Sequence, residues 1–212
     1  MDKLLIYTAG SGSREVLLAV EQLNQQRPTW EVLGFVDESP KLAGTVVDGF
    51  PVWDPDRRPQ GPSVYGVCGV MDPKVRQRMI EQFIEGAGQK LATIIHPSVA
   101  VPRDCKIGPG TILMPGVRVS FNVKLGKGVL VLWNVLLGHD LRVDHYATIL
   151  SGATITGGCS IGARSTLGAG STLNIKVAIG EDSLVGVGTT VFAAIPARKT
   201  VVAMPRLLVK DR

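Results

Sequence analysis

Every sixth residue from Ile95 to Val191 is Ile, Leu or Val. The run passes through Val101, Ile107, Leu113, Val119, Leu125, Val131, Leu137, Val143, Ile149, Ile155, Ile161, Leu167, Leu173, Ile179 and Val185, seventeen positions without an insertion. Glycine often follows directly, as at Gly108, Gly126, Gly162, Gly168, Gly180 and Gly186. An α-helix repeats every 3.6 residues and a strand every two, so neither accounts for a period of six. A hexapeptide β-helix does, because each hexad forms one flat side of a triangular coil and its aliphatic residue points inward. Four residues on in each hexad, Cys105, Thr111, Ala147, Ala153, Cys159, Ser165, Ser171 and Ser183 are small or branched, of a size to turn the corners or fill beside the aliphatic stack. The pattern predicts an all-β, left-handed parallel β-helix over about half of the chain.

The residues in front of the hexads follow another rhythm. Lys3 to Tyr7 is a short buried strand, Thr8-Ala9-Gly10-Ser11-Gly12-Ser13 a glycine-rich turn, and Arg14 to Gln22 a helical stretch carrying Val16, Leu17 and Val20. Strand, glycine turn and helix open a nucleotide-binding βαβ unit, in which Gly10 and Gly12 let the backbone approach a phosphate at the helix start. The position three after Gly12 is Glu15, so the full G-x-G-x-x-G is missing and the motif alone is weak. Trp30 to Val36 reads as a second strand ending at Asp37-Glu38, whose carboxylates suit sugar or base donors as well as a solvated turn. Val64 to Val70 is a third strand. Asp72 is placed to cap a helix reaching about Ile84 with Lys74, Arg76 and Arg78 on it, and Gly86 and Gly88 lead to a last strand, Leu91 to Ile95. The chain thus divides into a Rossmann-like α/β unit over 1–92, large enough for one mononucleotide, the β-helix over 93–197, and a basic tail over 198–212.

Composition narrows the setting. Hydrophobic content of 45% with 19% charged residues suits a soluble protein with a core, and 5% aromatics suits a narrow prism of Val, Ile and Leu. No apolar run reaches the length of a membrane span. The opening Met1-Asp2-Lys3 is expected to run straight into a strand instead of a signal peptide. Cys68, Cys105 and Cys159 are scattered, without a C-x-x-C pair, and are expected to be reduced core thiols in a cytoplasmic protein. The net charge of +5 sits mostly in the tail, with Arg198, Lys199, Arg206, Lys210 and Arg212 against Asp211. Basic stripes interleaved with aromatics are absent, which argues against nucleic acid. The tail is either solvated or turned to the phosphates of a cofactor.

Within the hexads the reactive stretch is Leu136-Leu137-Gly138-His139-Asp140, with Asp144-His145 after it. His139 lies two residues past the inward Leu137 and is expected to project outward, with Asp140 beside it to fix the ring tautomer and raise its basicity. A three-histidine metal site is not expected, since His96 lies more than two coils from His139 and the third histidine is His145. No G-x-S-x-G elbow supports a Ser-His-Asp arrangement.

In order, the segments I-Y-T-A-G-S-G-S-R, G-F-V-D-E-S-P, D-G-F-P-V, M-D-P-K-V-R-Q-R, I-I-H-P-S-V-A-V, M-P-G-V and G-H-D, then Ile195-Pro196-Ala197 and Val202-Ala203-Met204-Pro205, span nearly the whole chain. In these the chain resembles the NeuD/PglD-type sugar O- and N-acetyltransferases, bacterial enzymes that acetylate sialic acids or amino sugars carried on nucleotides. The resemblance implies transfer from acetyl-CoA to the amine of a nucleotide-linked amino sugar. It implies a homotrimer with acetyl-CoA in the groove between neighbouring prisms, a cytoplasmic setting and no metal. His139 would be the general base and Asp140 its acidic support. Gly10, Ser11 and Gly12 would meet the sugar nucleotide together with Asp37, Glu38 and Lys74, and Thr148, Gly157, Ala169 and Val187 would line the acetyl-CoA groove. Three positions depart from the family's pattern: Thr148 replaces a second histidine, Leu132 an asparagine, and Ser11-Gly12 a loop that usually contains histidine. Two other readings stand beside this one, an O-acetyltransferase of sugars or sialic acid and a non-catalytic trimeric scaffold or nucleotide-sugar sensor.

Overall fold

The computed structural model describes residues 1–203. Arg206, Lys210, Asp211 and Arg212 of the basic tail, with Met204-Pro205, lie outside them. The hexads coil as their spacing predicts. Each supplies a two-residue strand with the first side chain outward and the aliphatic second one inward, as in exposed Arg142 and buried Val143. Strands eighteen residues apart pair in parallel, Arg118 beside Leu136 and Leu136 beside Thr154.

Three flat sheets result, fitting a left-handed β-helix. Face A holds seven strands, beginning at Ile94, Ile112, Leu130, Thr148, Thr166, Leu184 and Thr200. Face B holds five, beginning at Arg118, Leu136, Thr154, Thr172 and Thr190, and face C five, beginning at Lys106, Lys124, Arg142, Ser160 and Ala178. The chain passes from A to B to C and back. The ladder continues beyond residue 197, because Thr200–Val201 pairs with Leu184–Val185. That last step is sixteen residues long instead of eighteen.

The interior is one continuous stack of aliphatic side chains from Leu113 to Val191. The small residues four positions on fill beside it and do not turn the corners. Thr111, Cys159 and Ser165 donate inward to the carbonyls of Gly126, Asn174 and Gly180 on the next coil. The corners are turned by residues in the left-handed region, among them Asn122, Asp140, Tyr146, Arg164, Lys176 and Asp182 at φ between 53° and 60°.

The N-terminal unit is built on β1 (Asp2–Tyr7), α1 (Ser11–Gln26), β2 (Trp30–Val36), β3 (Val46–Val47), β4 (Phe50–Trp53), β5 (Val64–Cys68), α2 (Pro73–Arg78) and β6 (Lys90–Leu91). Its sheet runs β3-β4-β2-β1-β5-β6, parallel except for the β3–β4 pair. Asp72 caps α2 as expected, accepting from the amides of Lys74 and Val75. The helix then widens into π-helical turns over Met79–Ile84. The strand expected over Leu91 to Ile95 is two strands, one closing the N-terminal sheet and one, Ile94–Ile95, opening face A. No helix among the described residues is long and apolar enough to cross a membrane.

The two units dock through an apolar patch that the hexads themselves encode. Outward positions on face C are Lys106, Lys124 and Arg142, but on face A they are Ile94, Ile112 and Leu130, all buried. These three, with Met114 and Leu132, pack against Val16, Leu17 and Val20 of α1. The N-terminal unit therefore covers the lower part of face A.

Candidate active site

The eighteen-residue coil stacks residues of distant sequence into columns along each edge. On the edge between faces B and C one column contains Phe121, His139, Gly157 and Ile175. The His139 ring lies flat on Phe121, with centroids 5.1 Å apart and planes 11° from parallel. Its other side lies on the backbone of Gly157, where a Cβ would overlap the imidazole Nε2 and Cε1. A side chain at 157 would thus expel the ring. Phe121 and Ile175 are more than half exposed, so this column is apolar and open.

The adjacent column contains Asp104, Asn122 and Asp140. His139 Nδ1 lies 2.8 Å from Asp140 Oδ2. The other carboxylate oxygen, Oδ1, accepts from the Asn122 side-chain amide at 2.6 Å. The Asn122 backbone amide in turn donates to Asp104 Oδ2 at 2.8 Å. The bond from His139, followed by that from Asn122, holds the Asp140 carboxyl below the ordinary carboxylate range. An ionised Asp140 accepts the proton of Nδ1–H, which leaves the lone pair of His139 on Nε2. The arrangement is an exposed imidazole whose plane is set by Phe121 and Gly157 and whose Nδ1 faces a carboxylate.

The glycine-rich turn forms a second locus. Thr8, Gly10, Ser11, Gly12 and Ser13 face Gly69, Val70 and Met71 around a cavity of about 250 Å³. Helix α1 begins at Ser11, three residues earlier than its apolar periodicity indicated, so Ser11 and Gly12 belong to its first turn. Gly12 has no room for a Cβ because the carbonyl of Gly69 lies against it, whereas Gly10 faces open space. Asp37 braces the loop, accepting from the amides of Ala9 and Ser39. Glu38 is engaged by Arg78 through two hydrogen bonds of 2.9 and 2.6 Å. Lys74 is largely exposed and reaches Asp182 of the prism at 3.6 Å.

Arg76, one of three cations expected on that helix, is fully buried between the units. It donates to the carbonyls of Val70 and Met71 on the cavity loop and to those of Gly128, Tyr146 and Ala147 on the prism. Burial lowers its pKa to about 10. Thr148 is also buried, and its hydroxyl donates to the Met71 carbonyl at 2.7 Å. Its side chain thereby seats the cavity loop. Leu132, where an asparagine was expected, belongs to the apolar contact with α1.

The structure thus brings His139, Asp140 and Gly157 together on the edge between faces B and C. It gathers Gly10, Ser11 and Gly12 in the cavity over face A, with Asp37 beneath the loop and Thr148 beside it. Ala169 and the strongly exposed Val187 stack on the edge between faces A and B. In a triangular prism the edge between B and C is the one opposite face A. One chain therefore points its imidazole away from its own N-terminal cavity. His96 and His145 are elsewhere, His96 bonded to Ser98 and Gln22, and His145 accepting from the Lys127 amide. Among the described residues no cluster of three or more His, Cys, Asp or Glu is placed to hold a metal ion.

Perosamine N-acetyltransferase from Caulobacter crescentus has been solved as a histidine-to-asparagine variant with CoA and GDP-perosamine. It is 24% identical, with a TM-score of 0.87 over 100% of this chain and 98% of that one. The acetyltransferase domain of PglB from Neisseria gonorrhoeae FA1090 is 25% identical, with a TM-score of 0.86 over 96% of this chain and 97% of that one. The fold is that of the NeuD/PglD-type sugar acetyltransferases. WeeI from Acinetobacter baumannii AYE shares it at 24% identity, with a TM-score of 0.85 over 94% of this chain and 96% of that one. The PglB domain has also been solved with acetyl coenzyme A. These NeuD/PglD-type neighbours match over both units, the N-terminal sheet as well as the prism. No protein-family model and no curated protein matches the chain.

Proposed function

We propose that the protein is an acetyl-CoA-dependent N-acetyltransferase whose acceptor is an amino sugar linked to a nucleotide. The observation that carries this reading is the exposed imidazole of His139, with Asp140 at Nδ1 and the exposed Phe121 stacked on its ring. The sugar amine attacks the thioester carbonyl, Nε2 takes a proton from the attacking nitrogen, and the CoA sulfur leaves and is protonated. Asp140 stabilises the imidazolium formed in between. Bringing both substrates to one imidazole supplies much of the rate without an acyl-enzyme.

Residues 1–92 then form the Rossmann-like substrate unit. Its phosphate site is the cavity of Gly10, Ser11 and Gly12 at the start of α1, where orphan amides favour an anion. Lys74 has an exposed ammonium to offer, and Asp37 and Glu38 flank the loop. Residues 93–197, with the added strand Thr200–Val201, carry the chemistry, and the basic tail begins at Arg198. Because His139 sits opposite face A, the cavity that serves it belongs to another copy. A homotrimer places the His139–Gly157 edge of one prism against the Ala169–Val187 edge of the next, with acetyl-CoA between them. The three free cysteines fit a reducing compartment such as the cytoplasm. The GDP-linked amino sugar held by the Caulobacter neighbour is the first acceptor to try.

The test is thermal stabilisation by acetyl-CoA and by GDP, UDP, CMP and dTDP, followed by CoA release with the matching nucleotide amino sugar. At about 100 times its dissociation constant a ligand stabilises the fold by roughly 2.7 kcal/mol, a readable shift. His139→Ala is expected to lower the rate by about 10²–10⁴-fold. Absence of a shift with acetyl-CoA, or near wild-type turnover of the His139→Ala variant, overturns the reading.

A further inference from the structure

We infer that Asn122 is a positioning residue for the reaction, acting on His139 through Asp140; this rests on the acetyltransferase reading above. Asp140 alone does not define the imidazole. Its side chain is half exposed, and a carboxylate free to turn about its last bond could offer Nδ1 either oxygen in a range of planes. The Asn122 amide removes that freedom by holding Oδ1 at 2.6 Å while Oδ2 stays 2.8 Å from Nδ1. Asn122 is held in its turn, since its backbone amide donates to Asp104 Oδ2. Three residues at steps of eighteen, Asp104, Asn122 and Asp140, thus form a brace along the edge, one residue per coil.

The chemistry of the pair fits this role and excludes a simpler one. Asn122 can donate to a carboxylate without supplying a positive charge, so it orients Asp140 without competing with His139 as an ionic partner. A lysine or arginine there would draw the carboxylate away from the imidazole. An aspartate would repel it. The position is also one where the backbone is left-handed, at φ 53°, which asparagine tolerates better than most residues.

Asn122→Gly is the informative variant, because glycine keeps the left-handed corner unstrained and removes only the amide. The nitrogen-15 spectrum of the histidine rings reports the His139 tautomer directly, without substrate. In the wild type Nδ1–H is expected to dominate, and in Asn122→Gly the Nδ1–H fraction should fall. Turnover should drop with it by on the order of tenfold, the scale of partners one step behind a reacting group, with KM for acetyl-CoA and for the sugar nucleotide unchanged. Asn122→Asp should be worse than Asn122→Gly, although it is closer in shape.

An unchanged tautomer in Asn122→Gly overturns the proposal. So does a changed tautomer with unchanged turnover, which would make the brace structural only. A fall in turnover through KM alone also counts against it. If the wild type transfers no acetyl group to any nucleotide amino sugar, the acetyltransferase reading fails, while the tautomer measurement still decides what Asn122 does to His139.

Discussion

At the scale of the residue, the site is a ring held between neighbours that are eighteen positions away. Gly157 is the tightest of these contacts, and Gly157→Ala would drive a methyl group into the imidazole. We expect that variant to fold, since the edge is open to solvent, and to lose roughly 10²-fold in kcat, as displacements of about 1 Å at a reacting group do. Steady-state kinetics beside an unchanged melting temperature would check it. His139 and Asp140 were legible in the sequence because they are adjacent. Asn122 and Phe121 were not, because each stands beside its neighbour only once the coil closes. The signal was nonetheless present: the hexad repeat fixes a coil of eighteen, and stepping eighteen residues back from His139-Asp140 lands on Phe121-Asn122.

At the scale of the element, the helix after β5 shows how far local rules reach. The cap at Asp72 follows from residue type and spacing, and the structure contains it. Arg76 could not be placed that way, since a cation between Lys74 and Arg78 on a short helix has every local reason to face water. It is buried because five carbonyls, on the cavity loop and on two prism corners, converge on one point that a planar guanidinium can serve. Removing it strands those acceptors, each of which is costly to bury unpaired. Arg76→Ala is therefore expected to cost about 3 kcal/mol or more, read as a lower urea midpoint. It should also weaken nucleotide binding, because Val70 and Met71 lose their anchor. The start of α1 was missed by three residues for a related reason: Ser11, Gly12 and Ser13 carry no apolar side chain, so their helical turn leaves no mark on the periodicity.

At the scale of the whole molecule, the prism was legible almost throughout, because inward aliphatics at a strict period admit one solution. The docking of the two units was legible only in part. Ile94, Ile112 and Leu130 break the outward polar pattern on face A, but what covers them is settled by packing. The geometry that results, with the imidazole opposite the chain's own cavity, makes a further prediction. Co-expressed chains of His139→Ala and of a cavity variant such as Gly12→Val, each inactive alone, should regain part of the activity as mixed assemblies, measured as CoA release. A site confined within one chain would give none. The left-handed corners have a last consequence. Any side chain there costs backbone energy that glycine would not, so at Lys176, φ 59° on the same edge as His139, a glycine is the obvious route to a hardier protein. At Asn122 and Asp140 the same exchange would strip the brace from His139. Selection for heat tolerance and selection for turnover therefore pull in opposite directions along a single edge of the prism.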